Sequence, residues 1–354
     1  MSDQDSNCGC GPVSRRSFLA DTGMGFTGLV LGAMSFRDGI ARAESTPAGP
    51  QSGPHLTQRA KSVIWIFLCG GVSHVESFDI KTELTKYGGK SIEETPYKEF
   101  LDEKRINKNL VGVNPGHYQR KQLMALNTGF KKYGECGLEV GDWFQNIGEC
   151  ADDLAVVRSL WTCHNDHGTQ LTWHTGRHPR EGSFPTIGSW ATYGLGAINQ
   201  NLPDYVVLGV PTGDCCGGEW THGAGYLGPQ YAGVRLNVGA ANPLPFVTPP
   251  NGQILPEEQA GEFSLLGKLN TLSGIEYPDD KSLRARIKSY ELAFGMQSAV
   301  PEVLSLQTET AETQNLYGMD QATTKSFGQL CLSARRLVER GVRFVQIFHG
   351  GGGG

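Results

Sequence analysis

The chain has no Cys-x-x-Cys pair, which excludes a ribbon-type structural zinc site in the folded body. It has no excess of basic residues: a formal net charge of −5 and a pI near 6.0 leave no electrostatic footprint for nucleic acid. It also lacks the strong acidity of a solvated tail. Its N-terminal apolar run, residues 20–36, is short and glycine-rich, which excludes a membrane span there. Two familiar loops are missing as well. Gly71-Val72-Ser73-His74-Val75 has no second glycine for a nucleophile elbow, and Leu84 stands where a phosphate loop ending in Gly89-Lys90-Ser91 needs glycine.

What is present is an ordinary globular composition, 38% hydrophobic and 19% charged over 354 residues, long enough for a large core. The 48 glycines exceed the usual ~7% share and, with 18 prolines, point to many loops. Ser14-Arg15-Arg16-Ser17-Phe18-Leu19, the apolar run and Ala41-Arg42-Ala43 have the order of a twin-arginine signal peptide over residues 1–43. Residues 44–60 read as a linker and residues 61–354 as the folded body. A periplasmic or extracellular location is therefore expected, with the twin-arginine translocase as the partner during export. Removing Cys8 and Cys10 from nine cysteines leaves seven, an odd number, with Cys136 and Cys150 as candidate disulfide partners.

Alternation of strand and helix signals predicts an α/β fold. Residues 61–68 (KSVIWIFL) read as a strand buried on both faces, and residues 154–160, 204–209 and 342–348 as three more. Helices are expected over residues 185–196, 263–272, 281–297 and 319–340, the last with Phe327, Leu330, Ala334 and Leu337 on one face. Residues 210–256 lose all periodicity. Their Trp220, Tyr226 and Tyr231 suggest either a substrate-facing wall or a surface excursion packed by its own aromatics.

The densest chemistry lies in residues 162–179, TCHNDHGTQLTWHTGRHP, which hold four of the nine histidines. Histidine is the commonest metal ligand, so this run argues for a site. His167 and His174, seven apart, share a face if the intervening residues are helical, and Gly176 would close that helix in the left-handed conformation. The bland alternative is a polar loop with histidines packed on tryptophans. A second polar loop, Gly70-Gly71-Val72-Ser73-His74-Val75-Glu76-Ser77-Phe78-Asp79, follows the first strand, at the edge where open α/β sheets bind ligands.

The segments VIWIFLCGGVSHVESFD, VRSLWTCHNDHGTQLTWHTGRHP, PTIGSWATYGLGAINQNLPDYVVL and GVRFVQIFHGG together resemble the sulfatase-like domain-of-unknown-function family 1501, grouped with the alkaline phosphatase superfamily. The resemblance implies an alkaline-phosphatase-like sheet between helices, with metal ions at the strands' carboxyl ends. It also implies a further C-terminal segment carrying more ligands, so the chain is expected to be C-terminally incomplete. Setting Thr175-Gly176-Arg177-x-Pro179 on the sulfatase pattern puts Asp166 at the nucleophile, Thr169 at the serine and Arg177 on the substrate anion. No formylglycine motif remains, since Cys163 lies three positions early. The implied ligands of a divalent ion (Zn, Mg, Mn or Ca) are His74, Asp79, Asp166, His167 and His349. Two functions of different class follow: hydrolysis of sulfate or phosphate esters of a small molecule or polysaccharide, and a non-catalytic exported binding or scaffold protein that keeps the fold.

Overall fold

The structure is a computed structural model that describes residues 59–101, 122–160, 162, 167–177, 181–240, 243–244, 256–277 and 281–350. The signal-peptide and linker readings thus lie outside the described residues, apart from Arg59 and Ala60. The chain divides into two compact units, one formed by Met1–Phe67 with His174–Gly354 and the other by Leu68–Trp173. Among the described residues the strands are β1 (Val63–Leu68), β2 (Phe130–Tyr133), β3 (Leu138–Gly141), β4 (Tyr205–Gly209), β5 (Val234–Leu236) and β6 (Phe344–His349). The helices that matter below are α1 (Thr169–Thr175), α2 (Ile187–Leu195), α3 (Pro256–Glu276), α4 (Lys281–Leu304) and α5 (Lys325–Glu339).

The first unit holds a sheet of order β1-β6-β4-β5, in which β4 runs parallel to both β5 and β6. Side chains of a strand alternate between faces, and here the two faces differ in chemistry. Val206, Leu208, Val345 and Ile347 enter an apolar core with Met296 and Val300 of α4 and Ala334 and Leu337 of α5. Tyr205, Phe344, Gln346 and Phe348 stand on the other face and are all buried. Helix α2 lies close to that face: a Cβ on Gly188 would stand 2.5 Å from the Tyr205 ring, so only glycine permits the approach. Helix α5 ends at Gly341, whose φ of +87° suits the left-handed turn into β6.

Four expectations change. The run read as a doubly buried strand is β1, but it lies at the sheet's edge with Val63 38%, Ile64 40% and Ile66 50% exposed. The two-sided burial belongs to β4 and β6 instead. Residues 154–160 form no strand: the segment pairs with nothing among the described residues, and Val157 and Leu160 are 59% and 63% exposed. An apolar run becomes a strand only where a ladder partner is available. Conversely β5, three residues inside the glycine-rich stretch, gave no periodicity to read. The long helix begins at Lys325, later than expected, after a turn at Gly318 with φ +64°.

The second unit is built on the antiparallel hairpin β2–β3, in register from Phe130 opposite Gly141 to Tyr133 opposite Leu138. Asp152 accepts the backbone N–H groups of Glu135 and Cys136 at 3.0 and 2.9 Å in the hairpin turn, and these bonds hold its carboxyl below the usual range. Cys136 and Cys150 are both free and exposed, so the suggested bridge is not formed.

In the first unit, one buried cation ties the end of α4 to α5. Arg336, 6% exposed, donates to the carbonyls of Val303 (2.7 Å) and Glu302 (3.3 Å) and to Glu309 (2.5 Å). Arg340 makes only an exposed pair with Glu302 at 3.4 Å. Breaking a buried pair leaves its partners stranded, whereas exposed pairs contribute little. We expect Arg336→Ala to lower unfolding stability by about 3 kcal/mol and Arg340→Ala by under ~1 kcal/mol, read from urea melts of the two variants.

Candidate functional site

The double-glycine turn after β1, with Gly70 and Gly71 both at φ +83°, leads into a short 3-10 turn over His74–Glu76. The turn doubles back so that the Asp79 N–H donates to the His74 carbonyl at 2.9 Å. His74 and Asp79 are thereby neighbours, offering one nitrogen and one oxygen donor of the kind a borderline divalent ion takes. Glu76, between them, is buried and accepts the Asn127 N–H at 2.8 Å. The Asp79 carboxylate is already engaged. Lys81 Nζ sits 2.8 Å away and Arg158 Nε 4.0 Å away, and Lys81 first, then Arg158, hold its pKa below the ordinary value against some desolvation. A cation ligated by Asp79 has to displace Lys81, whose side chain is 53% exposed and free to swing outward.

The other candidates are dispersed. Asp166 lies outside the described residues, as do His164 and His178. Helix α1 starts at Thr169, so His167 precedes it: His167 is exposed and its carbonyl accepts the Gln170 N–H at 3.0 Å. Thr169 Oγ1 is buried without a hydrogen-bond partner among the described residues. Gly176 takes φ +69°, the left-handed close expected of it. Arg177 is exposed, 3.9 Å from Glu181 and over the Phe184 ring at 5.6 Å. His349 ends β6 exposed, its ring 4.2 Å from that of Phe327 on the first turn of α5. Among the described residues no three His, Cys, Asp or Glu side chains are grouped to hold a metal ion; the described pair His74 and Asp79 is a partial set.

His167 and His174 therefore do not share a face. His174 is 1% exposed and sits among rings, 4.4 Å from Phe67, 5.4 Å from Phe348 and 6.5 Å from Trp65. This is the bland alternative realised for one histidine of the four, with a polar addition that composition did not suggest. Gln346, from the middle of β6, donates through Nε2 to His174 Nδ1 at 3.2 Å and to the Thr221 carbonyl at 3.2 Å. Its Oε1 accepts the Tyr205 hydroxyl. Next to Thr221 is His222, 7% exposed. Burial pushes His174 down to about 3, helped by the neighbouring His222, and pushes His222 down to about 4, helped by Arg235. The signal for this network was Gln346 itself, a lone polar residue inside the apolar strand run VRFVQIF.

Both imidazoles are neutral in the folded chain and protonate near 6.5 in the unfolded one. Stability is thus fully present above about pH 6.5 and is lost as pH falls through the window down to about 3. At pH 5 the His174 contribution has dropped by about 2 kcal/mol, 1.5 pH units below its unfolded pKa. Thermal melts from pH 7.5 to 4 should fall steadily for the parent and more shallowly for His174→Phe.

Neither a curated protein nor a solved structure matches the chain. Residues 60–351 match the family described as protein of unknown function, DUF1501, over most of the sequence, and the chain belongs to that family.

Proposed function

We propose that the chain is an exported hydrolase of sulfate or phosphate esters that works with a divalent ion and without a formylglycine nucleophile. The observation that carries the reading is the pairing of His74 and Asp79 on a glycine turn directly after β1, beside Arg158. A bound divalent ion would supply Lewis-acid polarisation of the ester oxygen and a more acidic bound water. His74 and Asp79 would hold it, with Asp166, His167 and His349 as the further candidates. The chain's own cations have the complementary task. Arg177, exposed at the end of α1, presents a planar donor suited to a sulfate or phosphate oxygen. Thr169 and Asp166 are the candidate hydroxyl and carboxylate beside the scissile bond. The substrate class is a sulfated or phosphorylated small molecule or polysaccharide met outside the cytoplasm.

A second reading, an exported binding or scaffold protein without turnover, is favoured by one fact: Asp79 is committed to Lys81 and Arg158. The two readings separate on metal and turnover. We expect about one equivalent of Zn, Mg, Mn or Ca by elemental analysis of the purified chain, metal-dependent release of phenol from aryl sulfate or aryl phosphate, and loss of both in His167→Ala. A metal-free, inactive protein that still binds a sulfated polysaccharide establishes the scaffold reading.

Export rests on a receptor that distinguishes guanidinium from ammonium geometry. Replacing Arg15 and Arg16 with Lys preserves charge, and we expect the precursor to accumulate in the cytoplasm by cell fractionation. Normal export of that variant removes the twin-arginine assignment.

A further inference from the structure

Three buried ring nitrogens of the first unit have no hydrogen-bond partner among the described residues: Trp65 Nε1, His174 Nε2 and His222 Nδ1. They are not scattered. The Trp65 and His174 rings lie 6.5 Å apart, His222 acts electrostatically on His174, and Gln346 binds both His174 and the carbonyl of Thr221, the residue before His222. Buried polar atoms are nearly always bonded, so three orphans in one neighbourhood point to a group that these side chains are arranged to receive.

The hydrogen-bond directions decide what kind of group. The Thr221 carbonyl can only accept, so the amide nitrogen of Gln346 must face it, and the Tyr205 hydroxyl, able to donate or accept, then donates to Oε1. That amide nitrogen can only donate, so His174 Nδ1 is the bare nitrogen and the ring hydrogen sits on Nε2. Protonated Nε2 has no lone pair for a metal ion. It is a donor, as is Trp65 Nε1. The immediate surroundings are neutral and largely apolar: both imidazoles are uncharged, Phe67 and Phe348 flank His174, and the Arg235 charge acting on His222 is opposed by Glu219. A sulfate or phosphate dianion would meet neutral N–H groups in a desolvated setting, which is unfavourable. An uncharged hydroxyl oxygen suits both donors, and its own hydrogen is left for His222 Nδ1 when that nitrogen is the bare one.

We propose that His174 Nε2–H and Trp65 Nε1–H are the donors of an internal binding site for an uncharged hydroxyl oxygen, with His222 Nδ1 as its third contact and Gln346 as the positioning residue that fixes the His174 tautomer. The site uses neither His74 nor Asp79 and stands whether or not the chain hydrolyses esters. The hydroxyl has two possible sources, a water molecule or the alcohol group of a sugar or polyol. Proton–nitrogen NMR of the full chain labelled with nitrogen-15 histidine separates them. We expect His174 as the Nε2–H tautomer, unchanged down to pH 5. A cross-peak from Nε2–H to water identifies the first source; displacement of that proton's shift by added glycerol or glucose, absent in Trp65→Phe, identifies the second. Gln346→Glu places an acceptor against Nδ1 and should move the proton there, abolishing the Nε2–H signal while circular dichroism stays native. If that variant does not fold, the parent spectra still decide. An Nδ1–H tautomer in the parent, an Nε2–H with neither contact, or a shift produced by sodium sulfate or phosphate in place of the neutral probes overturns the proposal.

Discussion

The side-chain amide of Gln346 is the interaction on which the polar half of the first unit depends. It stands in the middle of β6, fully buried, where an apolar residue would normally complete the sheet. An amide in that position is tolerable only if each of its atoms is bonded, since an unmet buried polar group costs ~1–3 kcal/mol. Tyr205, His174 and Thr221 meet those demands from three separate elements. The sheet, helix α1 and the loop after β4 are therefore held in register by one side chain. Such a fully satisfied network specifies a single arrangement more sharply than interchangeable apolar packing does.

The two faces of the sheet divide the labour. On one, Val206, Leu208, Val345 and Ile347 meet α4 and α5 through contacts that depend on volume and dryness alone. On the other, Tyr205 and Gln346 alternate with Phe344 and Phe348, and the rings supply the dry surroundings that keep His174 and His222 uncharged. Period-two alternation makes the separation possible, because each strand contributes to both faces without compromise. The dry face provides the stability from which the polar face can hold its unpaired nitrogens.

The same alternation explains what was legible in the sequence. Strands β4 and β6 were readable because their apolar runs are bounded by polar and glycine residues, and α5 because Phe327, Leu330, Ala334 and Leu337 recur at helical spacing. Burial was not readable to the same degree. VIWIFL is as apolar as YVVLG, but the first lies at an edge and the second between two neighbours, a difference set by partners distant in sequence. Residues 154–160 show the limit of the same inference. The His74 and Asp79 pair was visible because five residues and a glycine turn suffice to make it, whereas the His174 network joins residues up to 172 positions apart and left only Gln346 as a trace.

Asp79 and Asp152 show why one acidic residue of the second unit is a plausible ligand and another is not. Both carboxyls are held ionised, but by different partners. Asp152 is bonded to two backbone N–H groups at fixed positions in the hairpin turn, so its release would cost the turn both bonds at once. Asp79 is bonded to Lys81 and faces Arg158, cations 53% and 44% exposed that water solvates readily once released. An exposed ion pair of this kind contributes ~1 kcal/mol or less, so little opposes a doubly charged ion that also gains a nitrogen from His74. Pairing with Lys81 and Arg158 keeps Asp79 ionised, whether the carboxylate stays with these cations or, under the proposed hydrolase reading, exchanges Lys81 for an ion.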